Sequence, residues 1–321
     1  MLNIHELNVF LTAAETENFS EAGRRLNISQ PAVSMQIRAL EDSLGIKLFH
    51  RTGRHIVLTE AGHKLVPMAR DLLNRAAQIE EAMSSLRGNV VGQLRFACGP
   101  TVSKYLMPRL VSLLRQHHPR VTVSCTVTSN PGSLRLLLEG EVQIAISNVM
   151  EPHKEIEYQS YLTDRVSLMV HPQHPWAARK GPVQLKELAA ESLIVCPEDS
   201  CDHGILRDAL AAHTINLDDL SVTLIVNSPE SICASVAEGI GVAFVSEMVA
   251  ADAIRAGRVV PVALEGFDLC HTYYMAYHVN RPASMAQAAF WDLVFGRDVS
   301  EEDLPGQYLF DTLASLDPPT A

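Results

Sequence analysis

The sequence predicts three successive parts: an all-α winged helix-turn-helix head (residues 1–58), one long helix (59–88) and an α/β part with two lobes (89–298). Three observations support this order. Short segments with helical spacing of apolar residues come first, a strict seven-residue apolar repeat follows, and strands alternate with helices after residue 92. A chain of 321 residues can bury more than one core, and residues 299–321 are expected to form a tail.

The net charge of −11 is unevenly distributed along the chain. Residues 1–88 carry ten basic and ten acidic side chains, whereas residues 89–321 carry sixteen and twenty-seven. Within residues 20–58 the basic side chains outnumber the acidic ones by six to three. The acidic total therefore hides a locally basic head, and such a patch favours a polyanionic partner.

Composition and termini indicate the class of protein. No apolar run approaches the roughly 18 residues that a membrane span needs, so no membrane partner is expected. The sequence begins MLNIHELNVF, without the basic leader and cleavage site of a signal peptide. Six scattered cysteines without a CxxC pair are typical of a reduced, cytoplasmic protein.

The helix predicted after Asn27 and Ile28 has two different faces. Its inward positions are spaced by four, three and four residues and hold Val33, Ile37, Leu40 and Leu44. Its outward positions carry small or hydrogen-bonding side chains and one arginine: Ser29, Gln30, Pro31, Ser34, Met35 and Arg38. A short helix before it, capped by Ser20, completes a helix-turn-helix.

The outward face has the chemistry that double-stranded DNA requires. In the major groove Gln30 can bond adenine, Arg38 can bind guanine and Ser34 can bond either base. A basic turn follows, in which Arg51 and Arg54 would contact phosphates or the minor groove as part of a wing. The alternative is a solvated helix whose glutamine and arginine are incidental, and the adjacent basic turn argues against it.

These motifs together resemble the LysR-type transcriptional regulators. The family pattern Phe-Ser-x-Ala, Ser-Gln-Pro-Ala-Val-Ser, Ile-x-x-Leu-Glu, Leu-Phe-x-Arg and Leu-Thr-x-Ala-Gly appears in order at residues 19–22, 29–34, 37–41, 48–51 and 58–62. Gly23 departs from the alanine usual in the family, which should weaken the short second helix by up to about 1 kcal/mol.

The resemblance implies a transcription regulator and no enzyme. It implies a homodimer or, preferentially, a homotetramer, with operator DNA and RNA polymerase as further partners. A small-molecule effector, expected to be an organic anion, would bind between the two lobes and alter DNA binding. No cofactor or metal is expected.

The long helix carries a heptad pattern, which predicts that it pairs with a second copy of the chain. Apolar side chains recur every seven residues in two series, which we call the apolar seam: Leu65, Ala69, Leu72, Ala76, Ile79, Met83 and Leu86. A helix packed only on its own domain would show a broader and less regular stripe. The seam therefore predicts dimerisation.

The α/β part is predicted to contain lobe I (about 89–162 and 269–298) and lobe II (about 163–268), built on largely parallel sheets and similar to periplasmic solute-binding proteins. Effectors of such domains bind where strand ends meet helix N-termini. The candidate residues there are Thr101, Ser103, Thr128, Ser129, Asn130, Ser147, Ser200 and Ser228. For each one alone, capping of its own helix is the simpler explanation.

Other functions remain as alternatives. A redox-responsive regulator of the same family would use Cys196 and Cys201, although no basic residue adjoins either cysteine to lower its pKa. An intracellular solute-binding protein would not need the helix-turn-helix. An α/β enzyme would need a nucleophile, base or cofactor loop, and no such motif is found. Cys201, Asp202 and His203 are too close in sequence to share a metal ion without distant ligands.

Overall fold

The computed structural model describes residues 2–52, 55–85, 90–198 and 200–296. Its α-helices, numbered in chain order from α1 to α11, are Ile4–Thr16, Phe19–Leu26, Gln30–Leu44, Glu60–Ser85, Pro100–Tyr105, Met107–His117, Asn130–Leu138, Cys201–Ala212, Pro229–Ala237, Glu247–Arg255 and Met285–Phe295. Its strands, β1 to β11, are Phe49–Thr52, His55–Leu58, Gly92–Cys98, Val121–Val127, Ile144–Ser147, Ile156–Val170, Leu193–Val195, Val222–Ile225, Ala243–Ser246, Val260–Val262 and Cys270–His278.

The described residues form two compact units. The first unit contains residues up to 100, residues 110–159 and residues from 275 onwards, and the second contains residues 101–109 and 160–274. Strands β6 and β11 each run through both units. The segment 101–109, which the sequence assigns to lobe I, belongs to the second unit instead, because its helix packs there through Tyr105.

The head is the part of the first unit where α1, α2 and α3 pack together. Val33, Ile37 and Leu40 of α3 are buried, as their spacing predicts. Leu44 is 38% exposed and does not join this core, because it is the last residue before the left-handed Gly45 that ends the helix. Phe49 of β1 packs against Phe10 with ring centroids 5.6 Å apart, so the wing is anchored on the helices.

The start of α2 differs from the prediction in its cap. Asn18, rather than Ser20, caps the helix, because its side-chain oxygen accepts from the amides of Ser20 and Glu21. Within α2, Gly23 is buried, and a Cβ built on it would lie 2.7 Å from the carbonyl oxygen of Ile28. Glycine at this position therefore allows the turn between α2 and α3 to approach closely, a benefit that opposes its poor helix propensity.

The α/β portion of the first unit contains a parallel sheet in the order β5, β3, β4. The β3–β4 ladder runs from Gly92↔Val121 to Cys98↔Val127 without a break. Helix α11 covers one face, where Phe290 meets Phe96 at 5.1 Å between ring centroids. Helix α7 packs its buried leucines on the other face, against Ala97. Parallel strands buried on both faces are typical of α/β domains.

The second unit is less parallel than the sequence indicates. Strands β7 and β8 pair in parallel, whereas β9 and β10 both pair antiparallel with β6. Strand β6 is 15 residues long and offers both of its edges to partners. Among the described residues, no helix is both long and apolar enough to cross a bilayer.

Candidate nucleic-acid interface and effector site

The predicted base-reading face lies at the N-terminal half of α3. Ser29 caps the helix, its Oγ accepting from the amide of Ala32 at 3.4 Å. Nε2 of Gln30 donates to Oγ of Ser34 at 3.1 Å, so the two side chains are linked one turn apart. The candidate side chains on this face are exposed or half-buried: Ser29, Gln30, Pro31, Ser34, Met35 and Arg38.

A buried carboxylate joins the end of α3 to the wing. Glu41 is only 6% exposed, and its Oε1 accepts from the amides of Leu48 and Phe49 at 2.9 and 3.4 Å. Its Oε2 accepts from Nζ of Lys47 at 2.6 Å. Hydrogen bonds to an ionised acceptor are among the stronger ones in proteins, so Glu41 holds the start of β1 against the recognition helix. The sequence motif contains this glutamate, but its role becomes visible only in three dimensions.

The wing is a two-stranded antiparallel ribbon of β1 and β2. Arg51 lies in β1 opposite Ile56 of β2, and nothing is described of its side chain. Arg54, the second predicted backbone contact, falls outside the described residues.

The apolar seam of α4 divides into two parts. Ala69 is fully buried in the head core and Leu65 packs against the same core, so at these positions the seam stabilises the chain's own head. Further along, Leu72, Ile79 and Met83 are 49%, 56% and 59% exposed, which is unusual for large apolar side chains. Ala76 between them is half-buried, and Leu86 falls outside the described residues.

The opposite face of α4 binds the α/β portion of the first unit through polar contacts that the sequence did not suggest. Arg70 donates to the carbonyl oxygen of Glu139 at 3.1 Å and forms an ion pair with Glu141 at 2.8 Å. Asp71 accepts from Arg281 at 2.6 Å, and Asn74 donates to the carbonyl oxygen of Gly140 at 2.9 Å. Helix α4 therefore connects the head to this portion by one polar face.

The predicted effector hydroxyls are engaged at helix N-termini. Oγ atoms of Ser129, Ser200 and Ser228 accept from backbone amides at 3.3, 3.2 and 3.2 Å and so cap α7, α8 and α9. The cap of α7 is thus Ser129 rather than Asn130, which donates to Asn148 at 2.6 Å instead. The capping explanation therefore holds for three serines, and the Ser228 hydroxyl in addition donates to Oε2 of Glu230 at 3.0 Å.

The four remaining effector-site candidates differ in burial and in the groups that they contact. Ser147 is 1% exposed and donates to the carbonyl oxygen of Val149 at 2.8 Å, which makes it a structural residue of the β5 end. Thr128 is half-buried beside Gly132, where an added Cβ would lie 2.4 Å from the threonine Oγ1. Ser103 is half-buried in α5. Thr101, in the same helix, borders a cavity of the second unit.

That cavity has a volume of about 50 Å³. The first turns of α8 and α9 both border it, through His203 and Pro229. Free amides at helix N-termini favour anions. Nδ1 of His203 lies 2.8 Å from the carbonyl oxygen of Cys196, and His271 lies 3.9 Å from Asp202. The sequence did not single out His271 of β11, whereas Asp202 and His203 of α8 were considered there only as metal ligands.

Beside the cavity, strand β6 carries a buried acid that the sequence also did not single out. Asp164 is 4% exposed, and burial raises the pKa of its carboxyl to about 6. Hydrogen bonds from Oγ of Ser246 and from the amide of Met248, at 3.3 Å, partly offset that rise. The negative charges of Glu247 and Asp202 add to it.

The thiol and metal alternatives find little support in the second unit. Burial and the charge of Asp202 raise the pKa of Cys196 to about 11, which disfavours the reactive thiolate. Nothing is described of the Cys201 side chain. Over residues 2–296, with the gaps given above, no group of three or more histidine, cysteine or acidic side chains could hold a metal ion.

Comparison with protein families gives two matches that together span most of the chain. Residues 4–63 match the bacterial regulatory helix-turn-helix proteins of the lysR family. Residues 87–297 match the LysR substrate binding domain. The first match covers the head and the second covers the α/β portion of both units.

Curated relatives match over nearly their full length. The RuBisCO operon transcriptional regulator of Allochromatium vinosum is 28% identical over 293 residues, 91% of this chain and 95% of that protein. The probable RuBisCO transcriptional regulator of Cyanophora paradoxa is 30% identical over 291 residues, 90% of each. The transcriptional activator CmpR of Synechocystis is 26% identical, covering 92% of this chain and 95% of that protein.

Solved structures share the fold. Full-length OxyR from Pseudomonas aeruginosa is 23% identical with a TM-score of 0.70, covering 92% of this chain and 95% of that one. CbnR in complex with its target DNA is 24% identical with a TM-score of 0.61, covering 91% and 99%. LysG from Corynebacterium glutamicum with bound arginine is 22% identical with a TM-score of 0.61, covering 91% and 96%.

Proposed function

Because the chain belongs to the LysR family of bacterial regulatory helix-turn-helix proteins, we propose that it is a sequence-specific DNA-binding regulator whose activity responds to a small-molecule effector. The family and the relatives named above are transcriptional regulators and not enzymes. The single observation that carries the proposal is the exposed face of α3, where Gln30, Ser34 and Arg38 follow one another at one-turn spacing.

Readout of base edges would come from this face. Arg38 is exposed, and arginine forms two hydrogen bonds with guanine in the major groove. Gln30 would bond adenine, and its present hydrogen bond to Ser34 orients both side chains in the absence of DNA. The wing arginines, Arg51 and Arg54, would add sequence-independent affinity through phosphates or the minor groove.

The test begins with operators selected by the wild-type chain from random duplexes, followed by titration with variants. Arg38→Ala should lose about 1–3 kcal/mol at a selected site, roughly 5- to 150-fold, and tolerate substitution of one guanine. Arg207→Ala is the matched control, because Arg207 is an exposed arginine of the second unit. Equal affinity of wild type and Arg38→Ala across a salt series would contradict base readout by α3.

The effector would be an organic anion, one end of which occupies the cavity of the second unit. Two helix N-termini and Thr101 border this cavity, and Ser200 and Ser228 cap those helices. The acidic group of the molecule would lie in this cavity of about 50 Å³. Thr128, Ser129 and Asn130 stay predicted effector contacts on the grounds of their sequence positions.

The effector test starts by identifying molecules that co-purify with the full chain, by mass spectrometry after denaturation. For the identified compound, Thr101→Ala and Ser228→Ala should weaken binding by about 0.5–3 kcal/mol. Ser228→Gly separates capping from binding, because glycine costs a cap only a few tenths of a kcal/mol but offers no hydroxyl. If Ser228→Gly binds the compound like wild type while Ser228→Ala is merely less stable, Ser228 is structural.

Assembly would use the exposed part of the apolar seam, Leu72, Ala76, Ile79 and Met83. Two copies of α4 paired along this face would form a homodimer, and two dimers a homotetramer. The polar face of α4 would meanwhile transmit effector-induced changes to the head, because Arg70 and Asn74 attach it to the loop around Gly140. RNA polymerase would be a further partner at promoters.

A further inference from the structure

Two thiols approach each other across the parallel sheet of the first unit. Sγ of Cys98, at the end of β3, lies 3.4 Å from Sγ of Cys125 in β4. The register pairs Cys125 of β4 with Phe96 of β3. Cys98 lies two residues after Phe96 in β3, so its side chain is on the same face of the sheet as that of Cys125. Neither the effector-binding proposal nor the base-reading face uses these cysteines.

We propose that Cys98 and Cys125 form a reversible intrachain disulfide when the protein meets hydrogen peroxide or an organic hydroperoxide, and that this bond alters the loop beginning at Thr128. The proposal does not depend on DNA or effector binding. It rests on the distance between the two sulfur atoms, on their different accessibility and on the hydrogen bond that links Cys98 to Thr128.

The two cysteines differ in how they can react. Cys98 is fully buried, whereas Cys125 is half-buried in β4, which is the edge strand of this sheet in the described part of the chain. The hydrogen bond with Cys125 and burial raise the pKa of Cys98, so Cys98 keeps its proton. Cys125, the more accessible of the two, is therefore the thiol that the oxidant reaches first.

The oxidation balances in two steps. The Cys125 thiolate attacks one oxygen of the peroxide, the O–O bond breaks, and the departing hydroxide takes up the proton released by Cys125 to form water. Sulfur of Cys98 then attacks the resulting sulfenic acid, an S–S bond forms and the S–O bond breaks. The departing hydroxide takes the proton of Cys98, so two thiols and one hydrogen peroxide yield one disulfide and two water molecules.

Formation of the bond would move the strand ends. The sulfur atoms must close from 3.4 Å to about 2.05 Å, while the unbroken β3–β4 ladder prevents the strands from sliding. The carbonyl oxygen of Cys98 accepts from the amide of Thr128 at 3.0 Å, so the shift reaches the loop that leads to the cap of α7. A disulfide that forms under such constraint is readily reduced, so the bond would be reversible.

The experiment exposes the reduced full chain to hydrogen peroxide, then denatures it, alkylates the remaining thiols and maps peptides by mass spectrometry. Two of the six thiols should disappear, with a linked Cys98–Cys125 peptide that dithiothreitol abolishes. Cys125→Ser should lose the linked peptide and leave Cys98 alkylable. In Cys98→Ala, Cys125 should stop at sulfenic acid, which dimedone traps. Cys233→Ala, which removes a buried thiol of the second unit, should retain the link.

Wild-type protein alone can overturn the proposal, so it does not depend on how the variants fold. Both cysteines remaining alkylable at a peroxide dose that oxidises the exposed Cys270 would refute it. A linked peptide joining Cys196 and Cys201 instead would also refute it. Amide exchange of residues 126–132 in oxidised and reduced protein tests the second part, and unchanged exchange with the link present would refute the coupling to Thr128.

Discussion

The buried carboxyl of Asp164 should make the second unit less stable as pH rises through the range in which it ionises. Its pKa is about 6 in the folded chain, against an ordinary value of 3.8. A group whose folded pKa is raised contributes its full stability below the unfolded pKa and loses it as pH rises through the folded pKa. The complete loss is about 3 kcal/mol, because each pKa unit corresponds to about 1.4 kcal/mol.

Asp164→Asn removes this titration while keeping an acceptor for the amide of Met248 and a partner for the Ser246 hydroxyl. Its free energy of unfolding relative to wild type should therefore rise by about 2 kcal/mol between pH 4.5 and pH 7.5, since part of the loss occurs below pH 4.5. Trp176 is buried in the second unit, so urea titrations in a Trp291→Phe background report this unit alone.

The control is the same substitution at an exposed site of the second unit, Asp208→Asn, which should leave the pH dependence of unfolding unchanged. Groups distant from Asp164 contribute equally to wild type and Asp164→Asn, so the difference between the two reports Asp164 together with its coupling to Glu247 and Asp202. A difference that stays constant from pH 4.5 to pH 7.5 would show that the carboxyl is solvated or paired better than its 4% exposure indicates.

Two further perturbations test the head and the assembly. Glu41→Ala should destabilise the head by about 3 kcal/mol or more, because the buried amide of Leu48 loses its acceptor, and heat denaturation of the full chain would show an early transition absent from wild type. Leu72→Asp combined with Ile79→Asp should reduce the mass measured by light scattering, because charges would enter an apolar interface, whereas Ser84→Asp, exposed elsewhere on α4, should not. An unchanged mass in the double variant would show that the seam does not pair subunits.

The recognition helix could be predicted from local spacing alone. Which side chains of α3 face inward follows from the 3.6-residue period, so Val33, Ile37 and Arg38 were placed correctly without knowledge of the rest of the chain. The same holds for the caps Ser29 and Ser228, because a cap acts on amides only two or three residues away. Gly23 shows the limit of such local reasoning, because the carbonyl oxygen of Ile28 that it approaches lies beyond the turn between α2 and α3.

Helix α4 shows why a surface cannot be assigned from one helix. Arg70 and Asn74 have the spacing of a solvent-facing polar stripe, and only the fold reveals that they bind the loop around Gly140. Ala69 has the spacing of the apolar seam, but the head occupies that part of the helix. A periodic pattern states which residues share a face and contains no information about what covers that face.

The sequence by itself determined the faces of the helices and some of their caps, because these depend on interactions within a few residues. Only the tertiary structure decided which distant residues meet. Cys98 and Cys125 approach because a parallel crossover pairs β3 with β4 in one register, and Asp164 is desolvated because strands and helices from later in the chain cover β6. Such contacts depend on strand register and packing, and the spacing of residues along the chain specifies neither.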